Sequence, residues 1–200
     1  MGIIDAVRQV LGISAEADAT READPDDLFG MSTAYVTMEA SLGYEPIGEA
    51  ALCFSGVDST GFRETERQVE RILEAGEIET GTSARFVDDA KGYSWVVLAD
   101  EEFEDLVTSV HFAADTFVEE GFGSRLLAAL FAFERDDRIA YWIYSFRRGT
   151  FYPFVPTGGH DRDSSAEFKL ESVLDGELEI EGEKEYWYPL WPEGGNRPWS

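Results

Sequence analysis

The stretch from residue 101 to residue 156 constrains the fold of this chain more than any other. It begins with apolar side chains at spacings of three and four, which predict a long helix with one buried face: Phe103, Leu106, Val107, Val110, Ala114, Phe117 and Val118. Gly121 is expected to end the helix, because glycine adopts the left-handed C-cap conformation at no steric cost. Two apolar runs, 126–133 and 139–146, flank the polar residues 134–138 and predict a β-hairpin under the helix.

The rest of the chain predicts an α+β domain. We expect further helices over 32–42, 62–75 and 164–174, a strand within 48–57, and a second hairpin formed by 84–88 and 93–98. Hairpins that alternate with helices favour an antiparallel sheet of about five strands with helices packed against it, as in small chaperone-like domains. We divide the chain into a short N-terminal helix with an acidic linker (1–24), a single α+β domain (25–192) and a C-terminal tail (193–200).

For two of these helices the sequence also predicts which residues are buried or cap the helix start. The inner face of helix 62–75 should consist of Phe62, Val69, Ile72 and Leu73. Ser164 and Glu167 have the spacing of a capping box, in which both side chains satisfy free N–H groups at a helix start. We therefore expect Ser164 to open the last helix.

The net charge of the chain limits the kinds of protein to which it can belong. Forty-one acidic residues against 16 basic ones give a net charge of −25. Such self-repulsion destabilises a compact state in dilute buffer, whereas molar salt shortens the screening length to about 3 Å. Because the acids are spread along the chain, we interpret the protein as halophilic and cytoplasmic rather than as an acidic binder of basic partners. Nucleic-acid binding is disfavoured, since it needs clustered Lys and Arg.

A short amphipathic helix is predicted at the N-terminus, with an apolar stripe of Ile3, Ile4, Val7, Val10 and Leu11. The acidic, alanine-rich residues that follow are typical of a tether. One hypothesis is that this helix docks on the domain or on a second copy of the chain. The other is that it is an arm that contacts a partner or the membrane surface, although such helices usually carry more basic residues than Arg8 alone.

No motif for catalysis or cofactor binding is found. Cys53 lies in an apolar run and is interpreted as a buried small hydrophobe, and His111 as a half-buried structural residue. We predict no catalytic residue, no cofactor and no metal. The alternative hypothesis is a small metal-dependent or small-molecule enzyme that uses loop 160–163, because His160, Asp161 and Asp163 are suitable ligands for a divalent ion.

The most unusual segment is 147–154, with the sequence RRGTFYPF. Pro153 excludes it from a central strand, so we expect a sheet edge or a bulge. Arginine and aromatic side chains dominate binding hot spots, which makes this segment the candidate partner-binding site: Arg147, Arg148, Thr150, Phe151, Tyr152 and Phe154. The alternative is that the aromatic rings fill the core while the arginines neutralise nearby acids.

Several strings in the chain resemble PspAB, the PspA-associated protein family of actinobacteria and halophilic archaea. They are MGIID (1–5), LF (28–29), MEASLGYEP (38–46), CF (53–54), GYSW (92–95), LVTSVH (106–111), EGFG (120–123) and RGTFYPF (148–154). The resemblance covers residues 1–192, and the acidic linker departs from it.

The resemblance implies a non-enzymatic accessory or adaptor protein of a phage-shock-type envelope stress response. Its partner would be a PspA-like, membrane-associated helical protein, with a membrane protease of HtpX type as a further associate. The family supplies no catalytic residues that could be carried over. The expected location is the cytoplasm, with at most a peripheral contact at the inner face of the membrane.

Overall fold

The computed structural model describes residues 21–89, 91–192 and 197–199. Within those ranges the α-helices are α1 (Met31–Leu42), α2 (Thr60–Thr80), α3 (Phe103–Glu119) and α4 (Ser164–Leu174). The strands are β1 (Glu45–Phe54), β2 (Ser83–Asp88), β3 (Ser94–Ala99), β4 (Leu126–Arg135), β5 (Arg138–Ser145), β6 (Thr150–Phe154), β7 (Pro156–Gly158) and β8 (Asp161–Arg162). Short 3-10 helices lie at Pro25–Gly30, Gly123–Arg125 and Lys184–Tyr186.

The six longer strands form one antiparallel sheet in the spatial order β2-β3-β1-β4-β5-β6. The prediction of a single α+β domain with an antiparallel sheet is confirmed, with six strands where about five were expected. Both predicted hairpins are present, as β2-β3 and β4-β5. The turn between β4 and β5 is tighter than expected. Only Asp136 and Asp137 lie in it, both with positive φ (50° and 62°), as a two-residue type I′ hairpin requires.

The helix α3 lies across one face of the sheet through the face that its spacing predicts. All the residues named for that face are buried except Val118, which packs at the margin of the core. The helix ends at Glu119, and Gly121 follows with a φ of 82°. The helices α1 and α2 flank α3, so one side of the sheet is covered by helices.

The helix α2 is longer than predicted and ends at Gly81. Phe62, Val69 and Leu73 are buried as expected, but Ile72 is exposed. The inner row is completed by Thr65, whose hydroxyl donates a hydrogen bond to the Gly61 carbonyl. The prediction for Ile72 is wrong because adjacent residues on a helix point roughly 100° apart, and Leu73 already occupies the inner position.

The opposite face of the sheet is covered by the C-terminal part of the chain. Trp199 is buried there, with its ring centroid 6.3 Å from that of Trp95 and 6.2 Å from that of Tyr141. Arg197 forms an ion pair with Glu49 of β1. Residues 197–199, in the range predicted as a C-terminal tail, therefore pack against the sheet.

The N-terminal boundary also needs correction. Ala23 packs at the margin of the core, and the Tyr144 hydroxyl donates a hydrogen bond to the carbonyl of Asp24. Residues 21–24 thus belong to the domain rather than to the linker. The predicted arm residues Ile3, Ile4, Val7, Val10 and Leu11 lie outside the described residues.

Candidate functional site

The predicted partner-binding segment forms the corner between β5 and β6. The backbone N–H groups of Arg148 and Gly149 both donate to the Ser145 carbonyl, at 3.2 and 2.8 Å, and Gly149 has a φ of 67°. The strand β6 that follows is the edge strand of the sheet, as Pro153 predicts. We call residues 147–150 the arginine corner.

The aromatic rings of this segment point into the protein. Phe151 packs in the helical-side core, 4.9 Å from Tyr144 by ring centroids. Tyr152 and Phe154 belong to the core on the other face of the sheet, because successive strand residues alternate between faces. The expectation that these rings face a partner is therefore corrected: they fill the two cores. Arg147, Arg148 and Thr150 keep partial exposure.

The side chain of Arg148 is a clamp between β6 and the C-terminal segment. Its Nε donates to Oε2 of Glu181 at 2.7 Å, and the two side chains are only 16% and 6% exposed. Thr150 donates to the same oxygen at 3.2 Å, and the Arg148 guanidinium lies over the ring of Tyr186 at 3.8 Å. Burial by itself would raise the pKa of Glu181, but the hydrogen bonds from Arg148 and from the Glu183 N–H outweigh it and lower the pKa. Arg148 is thus engaged inside the fold.

The outer edge of β6 is partly covered as well. The Phe151 N–H donates to the Glu179 carbonyl at 2.8 Å, and the Glu181 N–H donates to the Phe151 carbonyl at 2.9 Å. An edge strand with its hydrogen bonds occupied is protected against the addition of a foreign strand. A partner at this corner would therefore bind through side chains.

Arg147 lies at the surface side of the corner and is half-buried. Its Nη2 donates to the Ser124 carbonyl, which fastens the corner to the turn after α3. Gly149 is in contact with the side chain of Arg21, and a Cβ at Gly149 would clash with it. The absence of a side chain at residue 149 is therefore needed for both the turn and this contact.

The first described residues of the chain lie against the arginine corner. Arg21 donates to Asp27 at 2.7 Å and pairs with Asp24 at 3.2 Å. The Tyr144 hydroxyl donates to Asp27 at 2.6 Å, and burial, followed by this hydrogen bond, raises the pKa of Tyr144. A cleft of about 430 Å³ between the N-terminal segment and the end of α3 is lined by Arg21, Arg147 and the glycines 121 and 123. The described chain thus begins, at Arg21, against the arginine corner.

One family model matches the chain over residues 1–199, and the family is described as PspAB, PspA associated protein B. The chain belongs to the PspAB family. The match extends over the predicted arm, the arginine corner and the C-terminal segment that covers the sheet. No curated protein and no solved structure matches the chain significantly.

In this PspAB-family protein the residues of loop 160–163 point in different directions. Asp163 caps α4 by accepting from the Ala166 N–H at 3.0 Å and pairs with Arg138 at 2.9 Å. Arg162 turns inward to Glu167 at 2.8 Å, and His160 lies near the ring of Trp191. Within the described ranges, no group of three or more His, Cys, Asp or Glu side chains is arranged to hold a metal ion. The alternative of an enzyme built on this loop gains no support.

Cys53 and His111, the other residues with reactive side chains, lie in surroundings typical of structural residues. Cys53 is fully buried, and burial raises the pKa of its thiol, which opposes a nucleophilic role. His111 is half-buried, with Nε2 2.9 Å from Oδ1 of Asp26. Its Nδ1 is buried with no hydrogen-bond partner among the residues described. We expect a structural histidine to have hydrogen-bonded ring nitrogens. This holds for Nε2 but, in the described part of the chain, not for Nδ1.

Two acids that organise this region were missed by sequence reasoning. Glu167 and Glu181 are nearly fully buried, yet nothing local distinguishes them among 41 acidic residues. A usable signal lies in their partners. Arg148 lies just before the apolar segment 151–155, and a half-buried cation needs an acidic partner.

Proposed function

We propose that this PspAB-family protein is a non-enzymatic accessory protein, an adaptor, of a PspA-type membrane stress response. The observation that carries the proposal is the family match over residues 1–199, because the family is described by its association with PspA. The direct partner would be a PspA-like helical protein at the membrane. A membrane protease of HtpX type is a second candidate partner, suggested by the resemblance alone.

The geometry of the corner supports a side-chain contact with such a partner. Arg147 and Arg21 both line the cleft, in a chain whose net charge is −25. Complementary charges fix the register of a complex and raise the association rate. A partner helix that presents an acidic side chain would meet Arg147 at this cleft, where Arg21 already pairs with Asp24 and Asp27.

The site of action would be the cytoplasm, with at most a peripheral contact at the inner face of the membrane. In the part of the chain that is described, no helix has the length and apolar character to cross a bilayer.

The experiment is a pull-down in molar KCl with a PspA-like protein from the same cells as bait. The test variant is Arg147→Glu, because Arg147 donates to a backbone carbonyl near the surface, that of Ser124, whereas Arg148 pairs with the buried Glu181. The matched control is Arg63→Glu, at an exposed arginine of α2 that pairs with the exposed Asp58. We expect wild type and Arg63→Glu to be retained and Arg147→Glu to bind at least about tenfold more weakly, a difference of about 1.4 kcal/mol.

Thermal unfolding of both variants checks that the fold persists. If wild type fails to capture the PspA-like protein at any salt concentration, the proposed function is wrong. If Arg147→Glu binds as well as Arg63→Glu, the corner is not the contact surface.

A further inference from the structure

An aromatic patch lies uncovered on the helical side of the molecule. Phe29 and Phe112 are 42% and 52% exposed, and the ring of His111 lies between them, at centroid distances of 4.5 and 5.7 Å. We call these three residues the aromatic patch. A single exposed apolar side chain is ordinary, but adjoining exposed rings on so acidic a surface are a candidate site for the apolar face of a helix.

The start of the described chain lies next to this patch. The Asp26 carboxylate is hydrogen-bonded to His111, and Arg21 donates to the adjacent Asp27 at 2.7 Å. The side chain of Arg21 is therefore separated from the patch by one pair of aspartates. Twenty residues precede Arg21, and they include the predicted amphipathic helix.

We propose that the N-terminal helix docks through its apolar stripe on the aromatic patch of its own chain. At 100° per residue the five apolar side chains fall within an arc of about 120°, which is the width of a core-facing stripe: Ile3, Ile4, Val7, Val10 and Leu11. The inference concerns this chain alone and does not depend on the proposed partner.

The lengths allow this docking. Nine residues of helix measure about 14 Å, and the outer row of α3 from Glu104 to Glu119 measures about 22 Å. Residues 12–20 can extend over about 30 Å. The tether is thus long enough to lay the helix back along α3, with its stripe over the patch.

The charges favour the chain's own arm over a second copy. Residues 1–12 contain one acid and one base, Asp5 and Arg8, so docking them adds no formal charge to the acidic surface. On the helical wheel Arg8 borders the stripe, so docking would bring a cation to this acidic surface. A second copy would bring a further charge of −25, whereas the tethered arm has a high effective concentration at the patch.

Cross-linking of the full chain tests the docking. Ala6→Cys borders the stripe, and Thr108→Cys lies one helical turn from Phe112 on α3, so neither change removes a proposed contact. The natural Cys53 is fully buried and gives no background. With a short bis-maleimide in molar KCl, we expect an intrachain product at least about tenfold faster than in the control pair of Ala6→Cys and Ile78→Cys. Ile78 is 88% exposed on α2.

A matched pair of variants shows whether the patch itself is responsible. Phe112→Ser in the test pair should slow the intrachain reaction to the rate of the control pair. Val36→Ser, at an apolar side chain of nearly equal exposure (53%) on α1, should leave it unchanged. If Phe112→Ser lowers the unfolding midpoint, Phe29→Ser takes its place.

Three results would overturn the docking. The first is equal rates for the Thr108 and Ile78 pairs. The second is a rate that does not respond to either patch substitution. The third is a product linked between two chains, whose share rises with protein concentration, since the ligand of the patch would then be the arm of a second copy.

Discussion

At the scale of single residues, two arginine–glutamate pairs with a buried carboxylate fasten the chain after β6, one to the β5–β6 corner and one within that chain. Arg148 holds Glu181, and Arg162 holds Glu167, which also accepts from the Val155 N–H at 2.8 Å. In both pairs burial opposes the ionised carboxylate while hydrogen bonds favour it. For Glu167 burial dominates and raises the pKa, whereas for Glu181 the hydrogen bonds dominate and lower it.

Substitution of Arg148 should destabilise the fold, because it leaves Glu181 buried without its cation. We expect Arg148→Gln to lower the free energy of unfolding by about 3 kcal/mol, at the low end for breaking a buried pair since Arg148 keeps some exposure. Urea unfolding in molar KCl measures the change. Arg63→Gln is the control, because its ion pair is exposed on both sides and should contribute less than about 1 kcal/mol. Equal losses in the two variants would contradict the clamp.

The opposite pKa shifts predict opposite pH dependences. The pKa of Glu181 is lower in the folded state than in the unfolded chain. Its contribution to stability is therefore present above the ordinary glutamate pKa of about 4.3 and is lost as pH falls. The pKa of Glu167 is raised, so its contribution is complete at low pH and is lost as pH rises through the folded-state value. Between roughly pH 6 and pH 3, the stability difference between wild type and Glu181→Gln should shrink, while that for Glu167→Gln should grow. Urea titrations at constant salt measure both, and a common sign would refute the assignment.

At the scale of elements, the start of α4 is capped by a different residue from the one that the sequence predicts. The capping box predicted for Ser164 and Glu167 is wrong. Asp163 is the N-cap and accepts from the Ala166 N–H, one residue earlier than expected. Glu167 cannot reach back to the helix start because it turns inward to Arg162. The free N–H groups at a helix start bond to whichever suitable oxygen is nearest. Here the Arg162–Glu167 ion pair removes Glu167 and leaves Asp163 as the cap.

The cap can be tested with three variants. Asp163→Ala should cost about 1 kcal/mol, the usual value of a lost N-cap. Ser164→Ala should stay within about 0.5 kcal/mol, and Asp163→Asn should recover most of the loss because Asn caps as well as Asp. Urea unfolding gives the three values. A larger loss for Ser164→Ala than for Asp163→Ala would restore the capping box.

At the scale of the whole molecule, the sheet is buried on both faces, by helices on one side and by the C-terminal segment on the other. Acids that are not enclosed in this way remain in solvent, where they repel one another. The charge of −25 therefore acts on the compact state as a whole rather than at one site.

This repulsion predicts that stability depends on salt. We expect the urea midpoint to rise between about 0.1 M and about 2 M KCl, since the screening length falls from about 10 Å toward about 3 Å. Sucrose in place of KCl is the control, because it favours compact states by exclusion without screening charge. A midpoint that rises equally in both would point to exclusion, and a midpoint that KCl leaves unchanged would contradict the interpretation of the chain as halophilic.

The local pattern by itself determined the elements of this protein. The spacing in α3, the alternation and turns of the two hairpins, and the edge position required by Pro153 all depend on neighbours within a few residues, and those predictions are confirmed. The short sequence strings likewise sufficed to identify the PspAB family, which the family model confirms. Only the tertiary structure decided which polar side chains are buried and which segments adjoin. Glu167 and Glu181 resemble the other acids until Arg162 and Arg148 pair with them. The rings of 151–154 could face a partner or the core until the layers on both faces of the sheet enclosed them. The physical reason is that burial and pairing depend on groups distant in sequence, whose approach no local pattern records.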